Sequence, residues 1–301
     1  MAAEPDIHPR PRPSQRLRVS LGLVAALLAS ACSPAAPLNL LASRQGLVID
    51  RSLPYAAGPR QTLDVYRPEG GKNLPVIVFF YGGSWQSGSK DTYLFAATAL
   101  AHRGYVVVVP DYRTYPEVTY PAFLKDGAQA VAWAKRNARR YGGNASRLFV
   151  MGHSAGAYIA AMLAIDPRWL GDAGLSRADV AGLVGLSGPY DFLPLRDETL
   201  KVIFGGAARP DTQPIHYVTG SEPPALLATG TGDSVVDPGN SQRLADRLRA
   251  AGDRAEVITY PNKGHLETIG ALAPSLRFLA PVLDDVDAFI RSVLSGRKDR
   301  P

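Results

Sequence analysis

The stretch RLFVMGHSAGAYIAAMLA, residues 147–164, sets one serine between two glycines, after an apolar run and before an alanine-rich one. LFVM reads as a buried strand and AYIAAMLA as a helix, so Ser154 falls where one turns sharply into the other. The glycines have a steric task. A tight strand-to-helix turn strains the serine backbone and brings neighbouring segments close, so side chains at 152 and 156 would clash. Ser154 then projects above the carboxyl end of its strand, with the Ala155 amide beside it at the start of a helix.

Working outward, short apolar runs alternate with longer helix-like segments, which is the pattern of βαβ units. PVIVFF (75–80), YVVVVP (105–110), VAGLVGLSG (180–188), ALLATG (225–230) and AEVITY (255–260) are continuous apolar runs suited to burial on both faces of a parallel sheet, and TLDVY (62–66) alternates like an antiparallel strand. Helices are expected over 91–104, 120–143, 240–252 with Asn240 as cap, and 281–296. The expectation is an α/β fold: one doubly wound, mostly parallel sheet with helices on both faces, spanning 46–295. Residues 191–224 interrupt it with weak periodicity between two core strands, and are expected to form a small lid.

A serine hydroxyl is a poor nucleophile unless an imidazole takes its proton and a carboxylate orients that imidazole. Of the five histidines, only His265 follows the last expected strand, in YPNKGHLETI; His8, His102, His153 and His216 lie elsewhere. For the acid, Asp233 in ATGTGDSVVDPGN stands at a strand's carboxyl end, with Asp237 next to Pro238 as runner-up and Asp191 a weaker third. Ser154, Asp233 and His265 then occur in the chain order Ser, Asp, His. The loop VFFYGGSWQSG (78–88) supplies backbone amides for a developing oxyanion: Gly83 and Ser84, together with Ala155, are the expected donors, while Gly82 serves the turn. Trp85 has two readings, as pocket wall or as packing beneath the loop.

Composition narrows the alternatives. Hydrophobic residues make up 46% of 301, enough for a sizeable core, and the formal charge of +6 is scattered apart from the tail GRKDR. No basic stripe points to nucleic acid, and no cluster has metal-ligand spacing. At the N-terminus, Arg10, Arg12, Arg16 and Arg18 precede thirteen uncharged residues, Val19–Ala31, and then Cys32, the only cysteine. Thirteen residues are too few to cross a bilayer, which needs about 20. Residues 1–31 therefore read as a cleaved export signal, and LLASAC resembles the lipobox of bacterial lipoproteins, which implies lipidation at Cys32 and membrane association through it. Residues 32–45 would be a short tether and 296–301 a basic tail.

YGGSW (81–85), DYRTYPE (111–117), GHSAG (152–156), GTGDSVVD (230–237) and KGHLE (263–267) occur in the order found in the α/β-hydrolase superfamily, and the chain resembles its carboxylesterases and lipases, with hormone-sensitive-lipase-like and kynurenine-formamidase-like branches. The resemblance covers about residues 60–295. It implies a serine hydrolase of carboxylic esters with short to medium acyl chains, no cofactor, a small-molecule ester as substrate, and a bracing role for Asp111, Tyr112 and Arg113 behind the oxyanion loop. Two positions depart from the family: Tyr81 replaces the usual histidine and Asp237 the usual proline. An amidase, formamidase or peptidase would use the same residues, and a non-catalytic envelope binding protein is the remaining alternative.

Overall fold

The structure, a computed structural model, describes Met1 and residues 36–298. Eight strands form one sheet: β1 (Leu47–Pro54), β2 (Thr62–Pro68), β3 (Leu74–Phe80), β4 (Val106–Pro110), β5 (Gly143–His153), β6 (Gly182–Leu186), β7 (Ala225–Gly230) and β8 (Ala255–Tyr260). Their order is β1-β2-β4-β3-β5-β6-β7-β8. β2 pairs antiparallel with β1 and β4, and every other pairing is parallel. The mostly parallel, doubly wound sheet expected from the apolar runs is therefore present.

The helices are α1 (Ala36–Leu41), α2 (Leu94–His102), α3 (Ala122–Asn137), α4 (Ala155–Ile165), α5 (Pro167–Asp172), α6 (Glu198–Phe204), α7 (Gly239–Ala250), α8 (His265–Gly270) and α9 (Val282–Lys298). α4 is buried along its whole length and packs against β5 and β6. Its lack of a polar face is what a helix wedged between sheet and neighbouring helices requires. α3 and α7, by contrast, bury one stripe and expose the other.

Four expectations change. Residues 36–41 of the expected tether are helical and fastened to the body: the Asn39 side chain donates to the Asp91 and Thr92 carbonyls and accepts from the Phe95 amide. The last helix runs to Lys298, into the expected tail. Asn240 is no cap, because α7 begins at Gly239 and the buried Asn240 carbonyl accepts the amides of Tyr190 and Asp191, both at 2.8 Å. Finally, residues 191–224 form a wall beside the site. α6 and two 3-10 turns fold down, with Ile203 and Phe204 buried, and Tyr158 donates its hydroxyl to the Thr212 carbonyl at 2.7 Å. The signal segment and Cys32 lie outside the described residues.

Candidate active site

β5 ends at His153, and Ser154 follows with φ 56° and ψ −125° before α4 begins at Ala155. This is a conformation that L-residues rarely adopt, and the surrounding packing imposes it. A Cβ on Gly152 would lie 2.2 Å from the Gly156 carbonyl oxygen, and one on Gly156 would lie 2.0 Å from that of Phe80. Both glycines are thus required by backbone approaching backbone. The turn sets Ser154 at the positive end of α4, 8% exposed.

The loop after β8 brings His265 to the same end of the sheet. Its Nδ1 stands 2.8 Å from Asp233 Oδ2, in the turn after β7. The other carboxylate oxygen accepts the amides of Val235 and Val236, each at 2.9 Å. Burial raises the Asp233 carboxyl, but these amides and the imidazole outweigh it and hold it below the usual carboxylate range. Asp233 is therefore a fixed anion facing the ring. The runners-up are engaged elsewhere: Arg243 of α7 pairs with Asp191 at 2.8 Å and with Asp237 at 3.0 Å, and Asp237 also accepts the Gly239 amide.

The glycine loop curls against the serine. Gly83, Ser84 and Trp85 have φ of 138°, 52° and 59°, a run of left-handed backbone that turns successive amides to one side. A Cβ on Gly82 would come within 3.0 Å of the Ser154 Cβ, which measures how closely the loop approaches. The Gly83 carbonyl accepts from Gln86 and Ser87, while among the described residues the amides of Gly83, Ser84 and Ala155 meet no protein acceptor. Ser84, Trp85, Ser154 and Ala155 line one cavity of about 690 Å³ with Phe192, Leu195 and Val236. Trp85 satisfies both of its readings: it lines the cavity and stacks on Phe192 at 6.1 Å, edge-on to Tyr158 and Phe204.

Tyr81, the departure from the family pattern, is the hub of the brace behind this loop. Its hydroxyl donates to Asp111 at 2.9 Å and accepts from Arg60 at 3.0 Å, and its carbonyl accepts the Tyr112 hydroxyl at 2.7 Å. Its ring stacks on that of Tyr112 at 4.6 Å. Arg60 also reaches the Gly88 and Tyr112 carbonyls, so it ties the ends of the loop together. Lys90 adds its amide to Asp111 and its ammonium, 3.4 Å from Asp64, to the same network. Arg113 points away, into a two-pronged pair with the fully buried Asp126. Sequence reasoning passed over Arg60, Lys90, Asp126 and Arg243, since a lone charged residue in a loop or helix carries no local sign of a partner many residues away.

His153 was also passed over, as merely part of the elbow. Burial first, and His265 second, push its imidazole down to about 3, so the ring is neutral. Its Nε2 is 3.2 Å from the His265 carbonyl oxygen, and its Nδ1 is 3.2 Å from the Tyr93 hydroxyl, which accepts the Gly82 amide.

With this geometry in place, comparison with known proteins is informative. The BD-FAE family model matches residues 63–248. The chain belongs to the BD-FAE family. Among curated proteins, this BD-FAE chain is 30% identical over 242 residues to isoprenylcysteine alpha-carbonyl methylesterase ICME of Arabidopsis thaliana, covering 73% of itself and 57% of that protein. It is also 30% identical over 238 residues to esterase LipC of Mycobacterium tuberculosis, covering 71% and 59%. It thus spans a little over half the length of these relatives. Among solved structures, a truncated carbohydrate esterase from gut microbiota superposes with a TM-score of 0.73 at 21% identity, over 84% of this chain and 98% of that one. The fold of this BD-FAE member is the α/β-hydrolase fold.

Proposed function

We propose that the chain hydrolyses carboxylic esters of short to medium acyl chain through an acyl-enzyme on Ser154. The observation that carries this reading is the imidazole of His265, held by Asp233 at 2.8 Å beside a serine in strained elbow geometry. The names of the methylesterase and esterase relatives support it.

In the first step the Ser154 Oγ attacks the ester carbonyl carbon while His265 Nε2 takes the hydroxyl proton, and Asp233 stabilises the imidazolium that forms. Negative charge gathers on the carbonyl oxygen, where the amides of Gly83, Ser84 and Ala155 meet it. Collapse of the adduct breaks the bond to the alcohol oxygen, which leaves with the proton from His265. Water, deprotonated by the same ring, then attacks the acyl-serine and releases the carboxylic acid. No step calls on a metal or organic cofactor.

We place the enzyme at a membrane of the cell envelope through lipid on Cys32, a reading motivated by the sequence from Val19 to Cys32. If Cys32→Ala leaves membrane retention unchanged, that placement is wrong.

The test of activity is hydrolysis of p-nitrophenyl acetate, butyrate and decanoate, with a p-nitroanilide in parallel, by the wild-type chain and by Ser154→Ala. Ester turnover that the substitution abolishes supports the reading. Turnover of the anilide alone, or of nothing, overturns it.

A further inference from the structure

Seven large apolar side chains are exposed among the described residues, and four of them cluster. Leu40 and Leu41 belong to α1, Leu266 to α8 and Phe278 to the 3-10 turn Pro274–Leu279; Leu40 and Phe278 are 86% and 80% exposed. These three elements share one groove of about 390 Å³, lined by Leu38, Leu266, Ile269, Leu276 and Leu279 among others. Single exposed leucines are ordinary on a protein surface, but a ring of them around an apolar groove marks a surface meant to be covered.

The chemistry of what covers it follows from the sequence that leads into the groove. α1 forms one edge, and Cys32 precedes it by four residues, after the uncharged run Val19–Ala31 and its four upstream arginines. Four residues reach at most about 14 Å when fully extended. An N-terminal segment seated at a bilayer therefore brings this edge within that distance of lipid. No helix among the described residues is long and apolar enough to cross a membrane, so the contact available to the folded body is a surface one. Arg277, exposed beside Phe278, and Arg44, exposed just past α1, are placed to meet anionic headgroups.

We infer that this face docks on an anionic bilayer surface, with Leu40, Leu41, Leu266 and Phe278 inserted at the boundary between headgroups and acyl chains. The inference rests on the membrane placement proposed above and adds which face meets the lipid. It has a functional consequence: Leu266 is the neighbour of His265, so the loop that carries the proposed base is itself at the lipid interface.

The test uses the full chain with Cys32→Ser and one new cysteine carrying a nitrobenzoxadiazole label, at Phe278→Cys, at Leu40→Cys, or at Arg139→Cys by the opposite, amino end of the sheet. Each is mixed with phosphatidylethanolamine–phosphatidylglycerol vesicles containing doxyl-labelled lipid, and binding is read by co-sedimentation of the same samples. The expected result is blue-shifted emission and quenching of about twofold or more at 278 and 40, with neither at 139. Sedimentation without that contrast overturns the docking face, since the N-terminal segment alone then holds the chain, and absence from the vesicle pellet overturns it too. A solution mass of two copies that Phe278→Ser returns to one overturns it in favour of self-association. Lipid on Cys32 is read independently, from the mass of the wild-type protein extracted from membranes, so the two readings fail separately.

Discussion

His153 Nε2 stands 3.2 Å from the backbone carbonyl oxygen of His265. A carbonyl only accepts, so Nε2 carries the proton and Nδ1 accepts from the Tyr93 hydroxyl, whose oxygen in turn takes the Gly82 amide. One neutral imidazole thus joins three loops: the elbow, the glycine turn and the segment that carries the proposed base. Tyr93 is kept protonated here, because burial pushes its hydroxyl up to about 12.

Removing that ring should loosen all three at once. His153→Ala is expected to cost about 1–3 kcal/mol of stability, the penalty for leaving buried groups unpaired. The same change should lower kcat by about 10–100-fold with KM little changed, since a shift of a catalytic loop by an ångström has losses of that order. Steady-state kinetics beside a denaturant midpoint check it; full kcat in a correctly folded His153→Ala protein would show that the network does not position His265.

The same histidine makes acid stability asymmetric. Its folded pKa of about 3 lies below the ordinary value of 6.5, so the folded state favours the neutral ring. That contribution is fully present above pH 6.5 and is lost as pH falls towards 3, by up to about 1.4 kcal/mol per pH unit for one proton. Asp233, also depressed, adds a second loss in the more acidic part of the range. Urea midpoints at pH 7, 5 and 4 should therefore fall steadily for the wild type. For His153→Gln the fall between 7 and 5 should be shallower, and parallel curves would refute the assignment.

Asp233 and Asp237 are four residues apart, and their surroundings separate them. Asp233→Asn removes the anion facing His265 and is expected to lower kcat by about 10³–10⁴ with little change in fold. Asp237→Asn touches only an exposed pair with Arg243 and a helix start, and should change activity by less than about threefold, since exposed pairs contribute about 0–1 kcal/mol. The reverse ranking would move the acid to Asp237.

That contrast also shows where sequence legibility ends. The core strands were readable because burial on both faces leaves continuous apolar runs such as VVVV at 106–109, whereas β1, half-exposed at the sheet edge and carrying Asp50 and Arg51, shows no such run. Ser154 and His265 stood out because strand ends and glycines frame them. The choice between the two aspartates did not, since it depends on Arg243 engaging Asp191 and Asp237 together. The brace was hidden for the same reason. Arg60 meets Tyr81 across 21 residues and His153 meets His265 across 112, distances over which a single sequence carries no periodic signal.

Tyr81→Phe isolates the brace from the chemistry. The ring still stacks on Tyr112, but Asp111 and Arg60 lose their shared hydroxyl. A loss of about 1–3 kcal/mol in stability is expected, together with a lower kcat on p-nitrophenyl butyrate as the glycine loop relaxes. Tyr81→His, which restores the family residue, should not rescue kcat, because a shorter side chain placed here cannot span both Asp111 and Arg60. Recovery to wild-type kcat in Tyr81→His would show that the brace tolerates either residue.

Acyl-chain preference should follow the cavity wall. Phe192 is only partly buried and stacks on Trp85 at 6.1 Å, so truncating it enlarges the space beside Ser154 without opening the core. Each added methylene that a pocket newly accommodates is worth about 1–3 kcal/mol in kcat/KM. Phe192→Ala is therefore expected to raise kcat/KM for p-nitrophenyl decanoate relative to acetate by at least about tenfold. Trp85→Ala would be a poorer probe: its buried ring contacts Phe123, Tyr158 and Phe204 as well, and its removal should cost about 3–5 kcal/mol of stability. An unchanged chain-length profile in Phe192→Ala, with activity intact, would mean that the acyl chain does not lie along the wall formed by residues 192–200 and that the alcohol portion occupies that side of the cavity.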